Sequence, residues 1–169
     1  MYIGLQDMFK IGIGPSSSHT VGPMRAARRF VMGLPENSLG EVQRVQVELF
    51  GSLAHTGHGH GTDLAILMGL CGEVPDSVDT SSIAQRVATI HRECRLTLLG
   101  QHEVSFDMAR DLLFNRTDEL PVHTNGMRFQ AWNADAALLD SRELYSVGGG
   151  FVVDADEHFV GSGRGTEVS

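Results

Sequence analysis

The glycines of this chain are unevenly distributed, and their positions limit the lengths of its helices and strands. The glycines cluster at 12–22, 51–61 and 148–150. Glycine marks loops in which backbone approaches backbone or a ligand closely, and it interrupts regular helices and strands. The sequence therefore predicts several short elements joined by glycine-rich loops, and neither a coiled coil nor a repeat array.

Composition excludes several classes of protein. The 169 residues carry a net charge of −8, whereas a protein that binds a nucleic-acid backbone needs a surplus of Lys and Arg. No stretch approaches the roughly 20 apolar residues that span a bilayer. The N-terminus lacks the basic and apolar regions of a secretion signal. We therefore expect a cytoplasmic protein with no nucleic-acid or membrane partner.

The two cysteines, Cys71 and Cys94, limit the redox chemistry that this chain can carry out. They are too far apart in sequence to form a CxxC pair. Two cysteines are also too few to hold an iron–sulfur cluster, which usually takes three or four. We expect both to be reduced thiols in the core.

The segment after the first glycine cluster predicts an amphipathic helix. Apolar residues recur at helical spacing, whereas Arg25, Arg28 and Arg29 take the opposite face. Gly33 and Pro35 end the helix. The apolar set is Val21, Met24, Ala27, Phe30, Val31 and Leu34.

Alternation and capping signals predict the other elements. A strand is expected over 44–53, because Val45, Val47 and Leu49 alternate with residues of the opposite face. Thr62 is the expected N-cap of a second helix, and Ser82 begins a third with a capping box to Gln85. Further strands are expected at 95–99, 103–106, 126–132 and 144–154.

This order predicts an α+β fold, with helices packed on an antiparallel or mixed sheet. One domain is expected over 1–160. The polar, glycine-rich segment 161–169 is expected to be a tail or the start of a linker.

The loop before the first helix collects Ser16, Ser17, Ser18, His19 and Thr20. A helix N-terminus offers unpaired N–H groups and a positive dipole end, so hydroxyls placed there suit a carboxylate or a phosphate. The simpler alternative is that one serine caps the helix and the others solvate a turn.

The second cluster carries His55, His58 and His60, followed by Asp63. Alternation of His with Gly gives a flexible chain without suitably spaced ligands, so we predict no metal site. One histidine could act as a general base, because imidazole titrates near neutral pH. The alternative is exposed loop histidines.

The two loops are similar, since each places a histidine beside hydroxyls at the start of a helix. If both face one crevice, they form a site for a small anion that undergoes proton transfer. Gly148, Gly149 and Gly150 could form a third wall where only glycine leaves room, or a strand bulge.

A series of motifs covers nearly the whole chain. The longest runs from Phe9 to Met24 and contains Ser-Ser-Ser-His-Thr. It is followed by Gly51-Ser-Leu-Ala54, Thr56-Gly57, Gly59-His-Gly-Thr-Asp63, His123, Asn125-Gly-Met-Arg-Phe129 and Tyr145-Ser-Val-Gly-Gly-Gly-Phe151. Together these motifs resemble the N-terminal (β) domain of the iron–sulfur-dependent bacterial L-serine dehydratases.

The resemblance implies a part of an L-serine ammonia-lyase, which converts L-serine to pyruvate and ammonia without pyridoxal phosphate. The family's [4Fe-4S] cluster is held by cysteines of a C-terminal (α) domain. This chain lacks those cysteines, so the resemblance implies an α domain or subunit as partner and no activity of this part alone.

Residue roles follow from the matched positions. Ser16, Ser17, Ser18 and Thr20 are expected to receive the substrate carboxylate, and His19 to act as a hydrogen-bond donor or acid-base group. His60 is the expected general base. Thr62, Asp63, Gly148 and Gly149 complete the expected substrate-binding set. Thr124 departs from the family's His-Pro-Asn-Gly pattern.

The fold implied is similar to the allosteric substrate-binding domain of some D-3-phosphoglycerate dehydrogenases. That similarity supplies an alternative function, a regulatory domain that binds an anion or serine without chemistry of its own. A histidine-rich metallohydrolase is a third reading, but it lacks suitably spaced carboxylates. A homodimer through an exposed sheet edge is expected. Selectivity between serine and threonine stays open.

Overall fold

The computed structural model describes residues 17–56 and 61–156, and it confirms the α+β fold with a mixed sheet. A π-helical turn, Ser17–Val21, precedes the first helix. The helices are α1 (Gly22–Met32), α2 (Gly51–Thr56), α3 (Thr62–Leu70), α4 (Thr80–Glu93) and α5 (Met108–Asp111). The strands are β1 (Arg44–Phe50), β2 (Arg95–Leu98), β3 (His102–Ser105), β4 (Leu112–Asn115), β5 (Gly126–Trp132), β6 (Leu138–Ser146) and β7 (Val152–Asp154).

The sheet is centred on β1. Its strand order is β2-β3-β1-β5-β6-β7, with β4 also paired to β1. Strand β1 runs parallel to β3 and β4 but antiparallel to β5. The parallel pairs need a long crossover, and the helices α2 to α4 supply it. The register aligns Leu49 with Met127 and Met127 with Leu144, so these apolar side chains share one face.

Helices α1 and α3 cover that apolar face. The predicted apolar stripe of α1 is confirmed, since all its members are buried apart from Leu34, which is partly buried. Phe30 stacks on Phe129 of β5 with ring centroids 5.4 Å apart. The two helices approach so closely that a Cβ on Gly69 would lie 2.2 Å from the carbonyl oxygen of Met24. Only glycine fits this crossing.

Two predicted helix caps were wrong. Helix α4 begins at Thr80, because the side chain of Asp79 accepts a hydrogen bond from the backbone N–H of Ser81 at 3.1 Å and is the N-cap. Ser82 instead donates its hydroxyl to the Asp79 carbonyl. At α3 the N-cap is Gly61 in the left-handed conformation, with φ of 82°. Thr62 is the first residue of the helix.

Two predicted strands were wrong in extent. The strand expected over 44–53 ends at Phe50, and the chain then turns at once into α2. The strand expected over 144–154 is two strands, β6 and β7, separated by a turn at 147–151. Strand β4 and helix α5, which are four residues long each, were not predicted.

Both cysteines are free thiols. Cys71 is partly buried, and burial raises the pKa of its thiol. Cys94 is exposed at the end of α4, so its expected place in the core was wrong.

Within the described ranges, the model contains no helix that is both long enough and apolar enough to cross a membrane. The predicted tail 161–169 lies outside these ranges.

A small second cluster lies on the other face of the sheet, where Phe50 and Leu120 pack against Tyr145. The hydroxyl of Tyr145 is buried, and it makes no hydrogen bond of ordinary geometry with the described residues. Burial raises the pKa of this phenol, an effect that the nearby backbone of Val122 partly offsets. A buried hydroxyl without a partner destabilises a fold.

We therefore expect Tyr145→Phe to be neutral or to stabilise the chain by about 0.5–1 kcal/mol at pH 7. Because the pKa of the phenol is raised in the folded state, its protonated form is favoured there. The free energy of unfolding therefore keeps its full value below the ordinary tyrosine pKa of about 10, and it falls as the pH rises above that value. Urea unfolding between pH 7 and 10.5 should show a steeper alkaline loss in the parent than in the variant. An equal loss in both would remove Tyr145 as the cause.

Candidate active site

The candidate site lies at one edge of the sheet, where three strands end side by side. Because β5 runs antiparallel to both β1 and β6, the carboxyl ends of β1 and β6 flank the amino end of β5. Ser52 follows β1, Asn125 precedes β5 and Ser146 ends β6. Polar side chains from distant parts of the chain therefore meet at this edge.

The π-helical turn at 17–21 is tied to this edge by two hydroxyls. Ser146 Oγ donates to the carbonyl of Ser18 at 2.7 Å, and Thr62 Oγ1 donates to the carbonyl of His19 at 2.5 Å. The approach is close, since a Cβ on Gly22 would lie 2.0 Å from Ser146 Oγ. These bonds satisfy carbonyl groups in the turn and fix its backbone to β6 and to the start of α3.

His19 lies between two serine hydroxyls. Its Nδ1 is 2.8 Å from Ser18 Oγ, and its Nε2 is 3.1 Å from Ser52 Oγ. A neutral imidazole donates through one ring nitrogen and accepts through the other, and a hydroxyl can fill either role. Both tautomers of His19 are therefore compatible with this arrangement.

Ser52 is placed by its backbone. Its N–H donates to Thr124 Oγ1 at 3.1 Å, and its carbonyl accepts from Thr56 Oγ1 at 2.7 Å. The preceding Gly51 has a φ of 53°, and a Cβ there would lie 2.2 Å from the carbonyl oxygen of Thr124. The turn from β1 into α2 therefore requires glycine at position 51.

The glycine turn at 148–150 lies beside the same π-helical turn. All three glycines have positive φ values, of 101°, 62° and 80°. Arg25 Nη1 donates to the carbonyl of Gly150 at 2.9 Å, and a Cβ on Gly150 would lie 3.0 Å from Val21 Cγ1. The segment connects β6 to β7, so the alternative of a strand bulge is wrong.

Comparison with known proteins identifies the family. Residues 4–157 match the family model described as serine dehydratase beta chain. This chain belongs to the serine dehydratase beta chain family. An L-serine dehydratase from Streptomyces coelicolor is 53% identical over 157 residues, which cover 92% of this chain and 34% of the relative. L-serine dehydratase 1 of Escherichia coli is 49% identical over 169 residues, 99% of this chain and 36% of the relative. The chain thus spans about a third of these relatives.

Among the expected positions, Ser17, Ser18 and Thr20 share the π-helical turn with His19, and Thr62 contacts its carbonyl. Ser17 and Thr20 are buried, at 3% and 1% exposure, whereas Ser18 and His19 are half-buried. Ser16 and His60 lie outside the described residues, so their expected roles stay predictions.

The start of α3 contacts the first loop, whereas residues 57–60 of the second loop lie outside the described residues, so the predicted meeting of the two loops stays a prediction. Thr62 is buried, and its bond to the His19 carbonyl joins the start of α3 to the first loop. Asp63, in the first turn of α3, accepts a hydrogen bond from the N–H of Leu64 at 2.9 Å. Their expected roles in substrate binding stay predictions.

Asn125 lies beneath the site, in the part of the chain that departs from the family's proline pattern. Its N–H donates to His123 Nδ1 at 3.0 Å, and its side-chain Nδ2 donates to the carbonyl of Ser146 at 3.1 Å. Its Oδ1 is buried and accepts no hydrogen bond from the described residues. Asn125 therefore holds the end of β6, while His123 holds Asn125.

Sequence reasoning did not assign Ser52 and Ser146 to the site. Both occur in motifs that carry the family resemblance, Gly51-Ser-Leu-Ala54 and Tyr145-Ser-Val-Gly148. The signal was present, but their separation in sequence concealed that both contact the turn at 17–21.

Proposed function

We propose that this chain is the β part of an L-serine ammonia-lyase, which converts L-serine to pyruvate and ammonia. The observation that carries the proposal is the bond between Thr62 and the His19 carbonyl, because it joins the two loops in a chain of this family. The relatives' names, L-serine dehydratase, supply the reaction.

In this proposal the substrate carboxylate binds at the amino end of α1. The hydroxyls of Ser16, Ser17, Ser18 and Thr20 donate to it, and the eleven-residue helix directs its positive dipole end toward that position. Among the described residues, a Cβ on Gly148 would meet no atom within 4 Å, so the glycine turn borders open space at this position.

In this proposal the imidazoles of His60 and His19 carry out the proton transfers of the reaction. His60 accepts the α-proton of serine, and His19 supplies a hydrogen bond or a proton from the other loop. Loss of the β-hydroxyl as water and return of one water during imine hydrolysis balance the conversion to pyruvate and ammonia. Asp63 lies in the first turn of α3. In the proposal its negative carboxylate attracts the substrate ammonium and so orients it.

The iron–sulfur cluster implied by the resemblance does not fit the residues of this part. Among residues 17–56 and 61–156, no group of three or more His, Cys, Asp or Glu side chains could hold a metal ion. Cys71 and Cys94 lie at the ends of different helices. In the proposal, cluster ligands belong to a partner chain or domain.

The rim of the candidate site suits such a partner. Phe151 is 71% exposed and Val147 is 39% exposed, and both lie in the turn that carries Gly148–Gly150. Exposed apolar side chains beside a polar site are typical of a surface that another chain covers. The relatives, of which this chain spans about a third, contain enough additional sequence to supply it.

Sequencing the source DNA beyond the codon for Ser169, and in the neighbouring frames, tests this proposal. We expect a continuing or adjacent frame with at least three cysteines in a glycine-rich helical domain. Fusion to a dinucleotide-binding domain, or a stop codon without a cysteine-bearing neighbour, would instead favour a regulatory domain that binds an anion or serine. The catalytic roles of His19 and His60 would then be withdrawn.

A further inference from the structure

We propose that Ser52 is a positioning residue for His19. The Ser52 hydroxyl bonds ring Nε2 of His19 and so influences which of the two ring nitrogens carries the proton. The inference rests on the proposed function, in which His19 is an acid-base or hydrogen-bonding group. It adds a residue from a third element, the junction between β1 and α2, to the two glycine-rich loops.

The contacts of the His19 ring with Ser18 and with Ser52 constrain the ring in different ways. Ser18 is adjacent to His19 in the chain, so its bond to Nδ1 at 2.8 Å moves with the π-helical turn. Ser52 is 33 residues away and contacts Nε2 at 3.1 Å. The bond to Ser52 therefore ties the ring to the sheet, whereas the bond to Ser18 is local.

The scaffold holds the backbone of Ser52 in place, from which its hydroxyl reaches His19. Thr124 Oγ1 accepts from the Ser52 N–H and donates to Glu119 Oε1 at 2.9 Å. The Thr124 hydroxyl thus connects the Ser52 backbone to Glu119. Close contact between Gly51 and Thr124 leaves the junction little freedom to move.

This arrangement has a chemical consequence for His19. When the ring takes up a proton, both nitrogens become donors, and the Ser18 and Ser52 oxygens can each accept a charge-assisted hydrogen bond. When the ring releases a proton from either nitrogen, the hydroxyl beside that nitrogen can turn and donate to it. Ser52 thus stabilises the imidazolium and lets a proton enter at one nitrogen and leave from the other.

Nitrogen-15 NMR of the histidine rings in the full chain tests this role without a measurement of enzyme activity. His19→Gln identifies the His19 signals among the eight histidines. Ser52→Ala is expected to lower the pKa of His19 by about half a unit or more, because the imidazolium loses an acceptor. The balance of Nδ1–H and Nε2–H tautomers should change as well. Ser52→Thr, which keeps the hydroxyl, should restore both values.

Two further variants keep the test decisive. Ser141→Ala removes an exposed hydroxyl of β6 and should leave the His19 signals unchanged. Ser52→Cys keeps a side chain of similar shape but accepts hydrogen bonds weakly, so it should resemble Ser52→Ala and serves if the alanine variant folds poorly. Unchanged His19 titration and tautomers in folded Ser52→Ala or Ser52→Cys would overturn the role of Ser52. Failure of the proposed dehydratase reaction would leave these NMR results intact, so the two outcomes are distinguishable.

Discussion

His60→Ala is expected to lower kcat for serine dehydration by about 100-fold or more in the enzyme assembled with the proposed cluster-bearing partner. Removal of a general base has effects on this scale. The KM should change less, because the carboxylate-binding hydroxyls remain. Steady-state assays of pyruvate formation measure both constants.

A matched control lies in the same loop. His58 is two residues from His60 but falls outside the positions that resemble the family, so His58→Ala should keep kcat within a few-fold of the parent. If kcat survives in His60→Ala, the base is His19 or belongs to the partner. If instead both variants lose activity equally, the loop as a whole matters, and His60 has no specific role.

Gly69→Ala is expected to destabilise the fold by about 2 kcal/mol or more. The new Cβ would lie 2.2 Å from the carbonyl oxygen of Met24 and 2.8 Å from Cβ of Ala27, and both contacts are far shorter than van der Waals distance. Alanine gains about 1 kcal/mol in helix propensity over glycine. Overpacking at a helix crossing outweighs that gain, because α1 and α3 must separate over the core.

Urea unfolding measures this difference, with Gly40→Ala as the control. A Cβ on Gly40 would meet no atom of the described residues within 4 Å, so that variant should change stability by less than about 0.5 kcal/mol. Equal stability of Gly69→Ala and the parent would contradict the described contact between α1 and α3.

Periodic patterns predicted the elements that pack the core. The apolar spacing of α1 and the alternation of β1 were correct because burial against one face imposes a period on the sequence. Residues of β5 were placed correctly for the same reason. Sequence also predicted that the sheet would be antiparallel or mixed, since strands follow helices in the second half of the chain.

Short elements and local competition escaped prediction. Helix α2 is only six residues long and follows β1 without a break, so its apolar residues resemble a continued strand. Helix α4 has two candidate N-cap residues, Asp79 and Ser82. Asp79 is the N-cap, because its carboxylate accepts a hydrogen bond from the N–H of Ser81. Glycines at 148–150 permit positive φ values that divide one apparent strand into two.

The candidate site was predicted in part. Sequence placed His19 and Thr62 in two similar loops, and the structure shows a hydrogen bond from Thr62 to the carbonyl of His19. Ser52 and Ser146 could not be paired with His19 and Ser18 from spacing alone. Those pairs depend on strand order at the sheet edge, which periodicity does not encode.

An assay of pyruvate formation from L-serine decides whether this chain is the β part of an L-serine ammonia-lyase. The chain is assayed alone and after combination with the remaining two thirds of the Streptomyces coelicolor relative, each following iron–sulfur reconstitution. We expect pyruvate only from the combination, with its loss when this chain carries His60→Ala. Pyruvate from this chain alone, at the rate of a complete enzyme, would contradict the account, as would an active combination that is indifferent to both His19 and His60.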